Sequence, residues 1–159
     1  MIEIVGLMHH AIPIGKGDAD ALAKAKEFYG ELLGLPLDTG RPDIPGTPGY
    51  WYNVPSGPRP PAAGQEDSRA VGPPPAHLRQ IHLIGRPNGP PAEDADTQEP
   101  MSRKVAHLAL AVTSLAAAKS ALDQRDIPYV IQTAAVGAEQ IFFFDPFGNQ
   151  IELQEARER

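Results

Sequence analysis

The stretch His9-His10-Ala11-Ile12-Pro13-Ile14 returns 98 residues later as His107-Leu108-Ala109-Leu110-Ala111-Val112. A second pair, Gln80-Ile81-His82-Leu83 and Gln150-Ile151-Glu152-Leu153, repeats in the same order. His82 lies 73 residues after His9, whereas Glu152 lies 45 after His107, a difference of 28. The stretch from Asn53 to Leu78 is 26 residues long and absorbs nearly all of that difference. An internal duplication, with one loop inserted into the first copy, is the economical explanation of all four segments.

Outward from these anchors, each copy reads as strand, helix, strand, strand, strand. In the first, an alternating strand around Val5–Ile14 leads to a helix from Asp18 to Leu33. Asp18 is the predicted N-cap and Gly34 the C-terminal glycine, and Leu22, Phe28, Tyr29, Leu32 and Leu33 form an apolar stripe. Strands follow near Leu37, at Tyr50–Val54 and at Gln80–Gly85. In the second copy a strand at Val105–Val112 precedes a Ser114-capped helix carrying Leu115, Ala118 and Leu122 on one face. Strands then fall at Pro128–Gln132, Gln140–Phe144 and Gln150–Gln154, the last two joined by the turn Asp145-Pro146-Phe147-Gly148-Asn149. The fold class expected is α+β. A single domain over 1–159 holds a first module at 2–85, with its loop insertion at 53–78, then a linker at 86–102 and a second module at 103–156.

Composition bounds the chemistry. The 159 residues suffice for one domain, and 42% hydrophobic with 21% charged residues is ordinary for a globular chain. Without cysteine there are no disulfides, thiolate sites or cysteine nucleophiles, so any metal must be held by imidazole and carboxylate. A net charge of -6 and no basic cluster give no reason to expect nucleic acid. The first 14 residues lack the basic start of a signal peptide, and no run reaches the ~20 apolar residues that span a bilayer, so a cytoplasmic location without membrane association is expected. The 18 prolines concentrate between Pro42 and Pro100, which reads as loops.

Strand parity then separates two faces. Leu108, Leu110 and Val112 share a helix-facing side, and His107, Ala109 and Ala111 the other. The same parity puts Ile12 and Ile14 toward the helix and His9, Ala11 and Pro13 toward a cavity; a bulge would exchange His9 for His10. His82 and Glu152 each point away from apolar neighbours. The four equivalent positions His9, His82, His107 and Glu152 are therefore the candidate metal ligands, a donor set suited to Zn, Fe, Ni or Mn. A lone strand histidine is more often structural; the symmetry of four positions is what favours ligation. Tyr50, Tyr52, Gln140 and Phe142 are candidate substrate-pocket residues, with core packing as the competing role for the aromatics. His77 reads as solvated within a proline-rich loop, and Glu93, Asp94, Asp96 and Glu99 as a solvated linker.

With these residues in hand the sequence resembles the vicinal oxygen chelate superfamily, which includes glyoxalase I, bleomycin- and fosfomycin-resistance proteins, methylmalonyl-CoA epimerase and extradiol dioxygenases. The resemblance rests on residues 9–14, Phe28-Tyr29-Gly30-Glu31-Leu32-Leu33-Gly34-Leu35, residues 107–112 and Asp145-Pro-Phe-Gly-Asn-Gln-Ile-Glu152, and covers almost everything outside the proline-rich loops. It implies two βαβββ modules forming a shared curved half-barrel around one divalent ion (Fe, Mn, Ni, Co or Zn), a small-molecule substrate chelated through vicinal oxygens, and a homodimer. His9, His107 and Glu152 fall where the family's recurrent ligands lie. His82 stands where glyoxalase I-like members carry a glutamate that both ligates and acts as base, which argues against a literal glyoxalase I. The set resembles instead a two-His-one-carboxylate triad, with His82 and Glu152 as the candidate catalytic groups. The expected function is a glyoxalase-like lyase or isomerase or an extradiol-type dioxygenase, although extradiol members usually carry two such pairs of modules. The alternative is a metal-free drug- or ligand-sequestering protein of the bleomycin-resistance type. Residues 53–78 and 86–102 are expected to form a substrate-shaping lid.

Overall fold

A computed structural model describes residues 8–40, 44–55, 79–87, 106–133 and 139–156. The chain divides into two compact units, Met1–Ala92 and Glu93–Arg159. His77, the acidic cluster at 93–99 and nearly all of both proposed lid segments lie outside the described residues.

In the first unit β1 (His9–Pro13) leads into α1 (Ala19–Ala25). Asp18 caps α1 by accepting a hydrogen bond from Ala21 N at 3.0 Å, satisfying one of the donors a helix start leaves open. The helix continues without a break as a π-helix, Lys26–Leu32, whose last turn closes from Leu33 N to Phe28 O at 2.9 Å, five residues back. The widened turn buries the consecutive residues Phe28 and Tyr29, with their rings edge to face at 5.1 Å. Gly34, at φ 63°, ends the helix in the left-handed region, as a glycine there permits. β2 (Gly49–Val54) and β3 (Arg79–Ile84) complete a sheet of order β1-β3-β2, in which β1 runs parallel and β2 antiparallel to β3. The strand expected near Leu37 is a single bridge from Leu37 to Tyr52 on the far side of β2. Pro36 and Asp38 reinforce that bridge with backbone bonds to Asn53 and Trp51.

The second unit repeats the plan. Its elements are β4 (Leu108–Val112), α2 (Leu115–Asp123), β5 (Tyr129–Gln132), β6 (Gln140–Phe144) and β7 (Gln150–Glu155), with sheet order β4-β7-β6-β5. Ser114 caps α2 through Ala117 N at 3.2 Å, and Glu155 at the end of β7 accepts from Leu115 N at 2.9 Å. β4 is shorter than the Val105–Val112 expected, so His107 lies immediately before it.

One face of each sheet carries the apolar side chains that the alternation predicts. Ile12, Ile81, Leu83 and Tyr52 are buried in the first unit, and Ile141, Phe143, Ile151 and Leu153 in the second. Fully burying a side chain of this kind contributes roughly 1.5–3 kcal/mol. The mixed α+β class expected from the sequence is what the structure has. Among the described residues, no helix is long and apolar enough to cross a membrane.

Tyr52 is the odd member of the first core. Its ring packs near Tyr29, with centroids at 6.3 Å, but its buried hydroxyl has no hydrogen-bond partner among the described residues. Burial, with smaller contributions from Tyr50 and Glu31, pushes the phenol up to about 12. The folded state thus holds this proton more tightly than an unfolded chain titrating near ~10. Stability is therefore unaffected by Tyr52 below about pH 10 and falls as pH rises from there toward 12. Tyr52→Phe is expected to change stability at pH 7 by no more than about 1 kcal/mol, in the stabilising direction if at all, because no bond is lost. Urea denaturation at pH 8 and at pH 10.5 should show a smaller alkaline loss in the variant; a destabilised Tyr52→Phe at pH 7 would mean that the hydroxyl is bonded.

Candidate functional site

The ladder registers decide which side chains share a face, because residues directly opposite on neighbouring strands point the same way. In the first unit His82 pairs with Ala11 on one side and Trp51 on the other. His9, two residues before Ala11, is on that face, and His10, opposite Ile81, is on the other. The His82 ring lies flat against the Trp51 indole, with centroids 3.7 Å apart and planes at 11°. The His9 ring is steeply inclined to both, at 76° and 5.1 Å from Trp51 and at 74° and 6.1 Å from His82. His82 is 7% exposed, while His9 lies open to solvent. Next along β3 on the same face, the buried amide of Gln80 donates to Asp38 Oδ2 at 2.6 Å and Asn53 Oδ1 at 2.9 Å. That pair of bonds ties β3 to β2 and to the segment beyond Leu37.

In the second unit Glu152 pairs with Ala109 on one side and Phe142 on the other. His107 stands two residues before Ala109, as His9 stands before Ala11. Its Nε2 lies 2.8 Å from Glu152 Oε2. The other carboxylate oxygen, Oε1, accepts a hydrogen bond from the Gln140 amide. Phe142, fully buried, and the His107 ring stand nearly perpendicular, with centroids 5.7 Å apart and planes at 87°. Glu152 is 6% exposed, and a carboxylate so deeply buried requires such partners to offset its desolvation.

The sequence-derived candidates thus fall into two local groups, His9 with His82 and His107 with Glu152 and Gln140. Among the described residues, no group of three or more His, Asp or Glu side chains is gathered closely enough to hold a metal ion. Of the four pocket candidates, Gln140 and Phe142 are on the face of Glu152. Tyr50 and Tyr52 are not on the corresponding face of the first unit: they stand opposite Leu83 and Ile81, and Tyr52 is a core residue. The aromatic beside the histidines is Trp51. Three consecutive aromatics, Tyr50-Trp51-Tyr52, give no alternation from which to read a face, and the duplication supplies the missing signal. Phe142 stands opposite Glu152 as Trp51 stands opposite His82, so the repeat aligns Trp51 with Phe142.

Two units of strand, helix and further strands, each with a polar pair in matching register, make up a small α+β protein. The family model for the Glyoxalase/Bleomycin resistance protein/Dioxygenase superfamily matches residues 19–153, and the chain belongs to that superfamily. Among solved structures, a glyoxalase family protein from Bacillus anthracis is similar over 99% of both chains, at 21% identity and a TM-score of 0.62. Lactoylglutathione lyase from Agrobacterium tumefaciens is similar over 96% of this chain and 95% of its own, at 18% identity and a TM-score of 0.52. An antibiotic binding protein from Streptomyces sp. CB03234 is similar over 99% of this chain and all of its own, at 21% identity and a TM-score of 0.57. At these identities the likeness speaks for the fold alone. No curated protein matches the sequence.

Proposed function

We propose that this chain is a divalent-metal-dependent enzyme acting on a small substrate held through vicinal oxygens, by lyase, isomerase or ring-cleaving dioxygenase chemistry. His9, His82, His107 and Glu152 are its candidate ligands, and Fe, Mn, Ni, Co or Zn its candidate ions. One observation carries the reading. His82 stands in register with Ala11, two residues after His9, as Glu152 stands with Ala109, two residues after His107. Packing alone gives no reason for a metal-ligating side chain, imidazole three times and carboxylate once, to stand at the same two register positions in both copies.

The donor set fits such an ion. Imidazole and carboxylate are ligands of the first-row divalent metals. The 2.8 Å between His107 Nε2 and Glu152 Oε2 is a hydrogen-bond distance, and a small parting of the pair would bring it to the spacing of two ligands on one ion, about 3.0 Å at octahedral and about 3.4 Å at tetrahedral angles for bonds of ~2.1 Å. When bound, the ion would supply Lewis-acid stabilisation of a developing oxyanion. His82 and Glu152 are the groups suited to accept and return a substrate proton. Trp51 fixes the His82 ring from its face, and both coordination and proton transfer use the ring edge. A homodimer and a cytoplasmic location belong to the same reading.

A second reading, a metal-free sequestering protein, is favoured by a different observation. Both oxygens of Glu152 already have partners, Gln140 and His107, so the buried carboxylate is satisfied without a cation. One neighbour in fold is an antibiotic binding protein.

Elemental analysis of protein purified without chelators separates the two. About one ion per chain is expected, and the His107→Ala, Glu152→Ala double variant should lose it. Iron or manganese would direct assays to ring-cleaving oxygenation; nickel, cobalt or zinc would direct them to isomerisation or epimerisation. Absence of metal, or equal content in the double variant, would sink the enzyme reading and leave the sequestering one.

A further inference from the structure

We propose that Gln140 is a positioning residue for metal binding: its amide holds one oxygen of Glu152 and thereby presents the other beside His107. This rests on the enzyme reading above. The three side chains lie in one unit and on one sheet face, since Gln140 and Phe142 alternate along β6 and Phe142 stands opposite Glu152. Gln140 is 6% exposed, as buried as the carboxylate it touches. Nε2 of the amide donates to Glu152 Oε1, while Oε2 lies 2.8 Å from His107 Nε2. The two carboxylate oxygens therefore have separate duties, one bound by the amide and the other aligned with the imidazole.

The far end of the same amide shows how strongly that orientation is held. Gln140 Oε1 is buried and has no hydrogen-bond partner among the described residues. A buried acceptor without a donor is costly, and turning the amide over would put its oxygen against a carboxylate oxygen instead. A donor facing an anion makes one of the stronger hydrogen bonds available to a neutral side chain, so the bond to Glu152 fixes the amide and leaves Oε1 unpaired. Nothing in the strand ladder requires an amide here. In the first unit the register position of Gln140 is held by Gly49: Gly49 pairs with Ile84 as Gln140 pairs with Gln154. The amide is thus specific to the copy whose candidate ligand is a carboxylate, where a second oxygen has to be restrained. In the other copy the candidate ligand His82 is held by stacking on Trp51.

The test uses Co2+ alone as probe on the full chain, with isothermal titration for affinity and the visible absorption of bound Co2+ for coordination. Gln140→Met keeps the volume and removes the amide. Wild type should bind Co2+ stoichiometrically, and Gln140→Met should bind it 10- to 100-fold more weakly with an altered visible band, as loss of a ligand-orienting partner does elsewhere. A merely structural role would lower the melting temperature of the metal-free protein and leave affinity and band unchanged, which would overturn the proposal while the enzyme reading stood. Wild type that binds no Co2+ would overturn both. Should Gln140→Met fail to fold, Gln140→Asn carries the same test, because it keeps an amide but withdraws it by one methylene. Weakened Co2+ binding is again the expected result, and unchanged binding the contrary one.

Discussion

Gly49→Ala is expected to abolish stable folding of the first unit or to cost at least about 3 kcal/mol, because an added group that meets fixed backbone forces the strands apart. A Cβ at this position would lie 1.8 Å from the carbonyl oxygen of Leu83 and 2.9 Å from its carbon. Both are backbone atoms of the central strand β3, so no side chain can swing aside. Relief would require β2 to separate from β3 at the pair Gly49 and Ile84, with Trp51 and its stack on His82 two residues away. Gly30→Ala is the control. An added Cβ there meets only side-chain atoms at van der Waals distance, the Tyr52 hydroxyl at 3.4 Å, Tyr52 Cε1 at 3.6 Å and Lys26 Cγ at 3.9 Å, and the change should stay within about 1 kcal/mol. Thermal and urea denaturation of the two variants would read the contrast, and a Gly49→Ala protein as stable as wild type would refute the close approach of these strands.

Asp145→Ala should be the comparable lesion in the second unit, at roughly 3–5 kcal/mol, or on the order of 10 °C in melting temperature for a chain of this size. Asp145 is fully buried, and its Oδ1 accepts from the backbone N–H groups of Phe147 at 2.9 Å and Asn149 at 2.7 Å. Its Oδ2 accepts from the Asn149 side chain at 2.8 Å. Truncation would strip three donors of their acceptor inside a tight turn that Gly148, at φ 80°, completes. Asp145→Asn keeps one acceptor oxygen for the two backbone donors and loses the Asn149 side-chain bond, so about half the effect is expected. The turn joins β6 to β7, and so sets Gln140 and Phe142 against Glu152. A cost below about 1 kcal/mol for Asp145→Ala would show that the turn is held by the ladder alone.

What was legible in the sequence was local or periodic. Asp18, Ser114 and Gly34 act at the helix ends where their chemistry puts them, because capping involves only neighbours within a few residues. The faces of β1 and β7 followed from alternation, and the duplication matched residues far apart in the chain. The π-helical continuation of α1 was not legible: Lys26–Leu32 contains good helix formers, and the choice of a wider turn belongs to the packing of Phe28 and Tyr29. Nor was the phase of β2, because Tyr50-Trp51-Tyr52 offers an aromatic to both faces and only pairing with β3 decides which one meets His82. Gln140 was visible as a polar residue ahead of Ile141-Phe142-Phe143, but its hold on Glu152 depends on the β6–β7 register.

The unequal length of the two copies bears on the order in which they come together. His10 pairs with Ile81, 71 residues further on, whereas Leu108 pairs with Ile151, only 43 further on. Closing the longer span costs roughly 0.4 kcal/mol more in chain entropy, too little to threaten stability, which is why an insertion at that point is tolerable. Rates respond more strongly, since parallel pairing between distant segments is among the slowest events in folding. The C-terminal copy is therefore the faster to close in refolding, although translation delivers the N-terminal copy first. Until β3 emerges β1 has no partner, and the half made earlier is the half that waits longer.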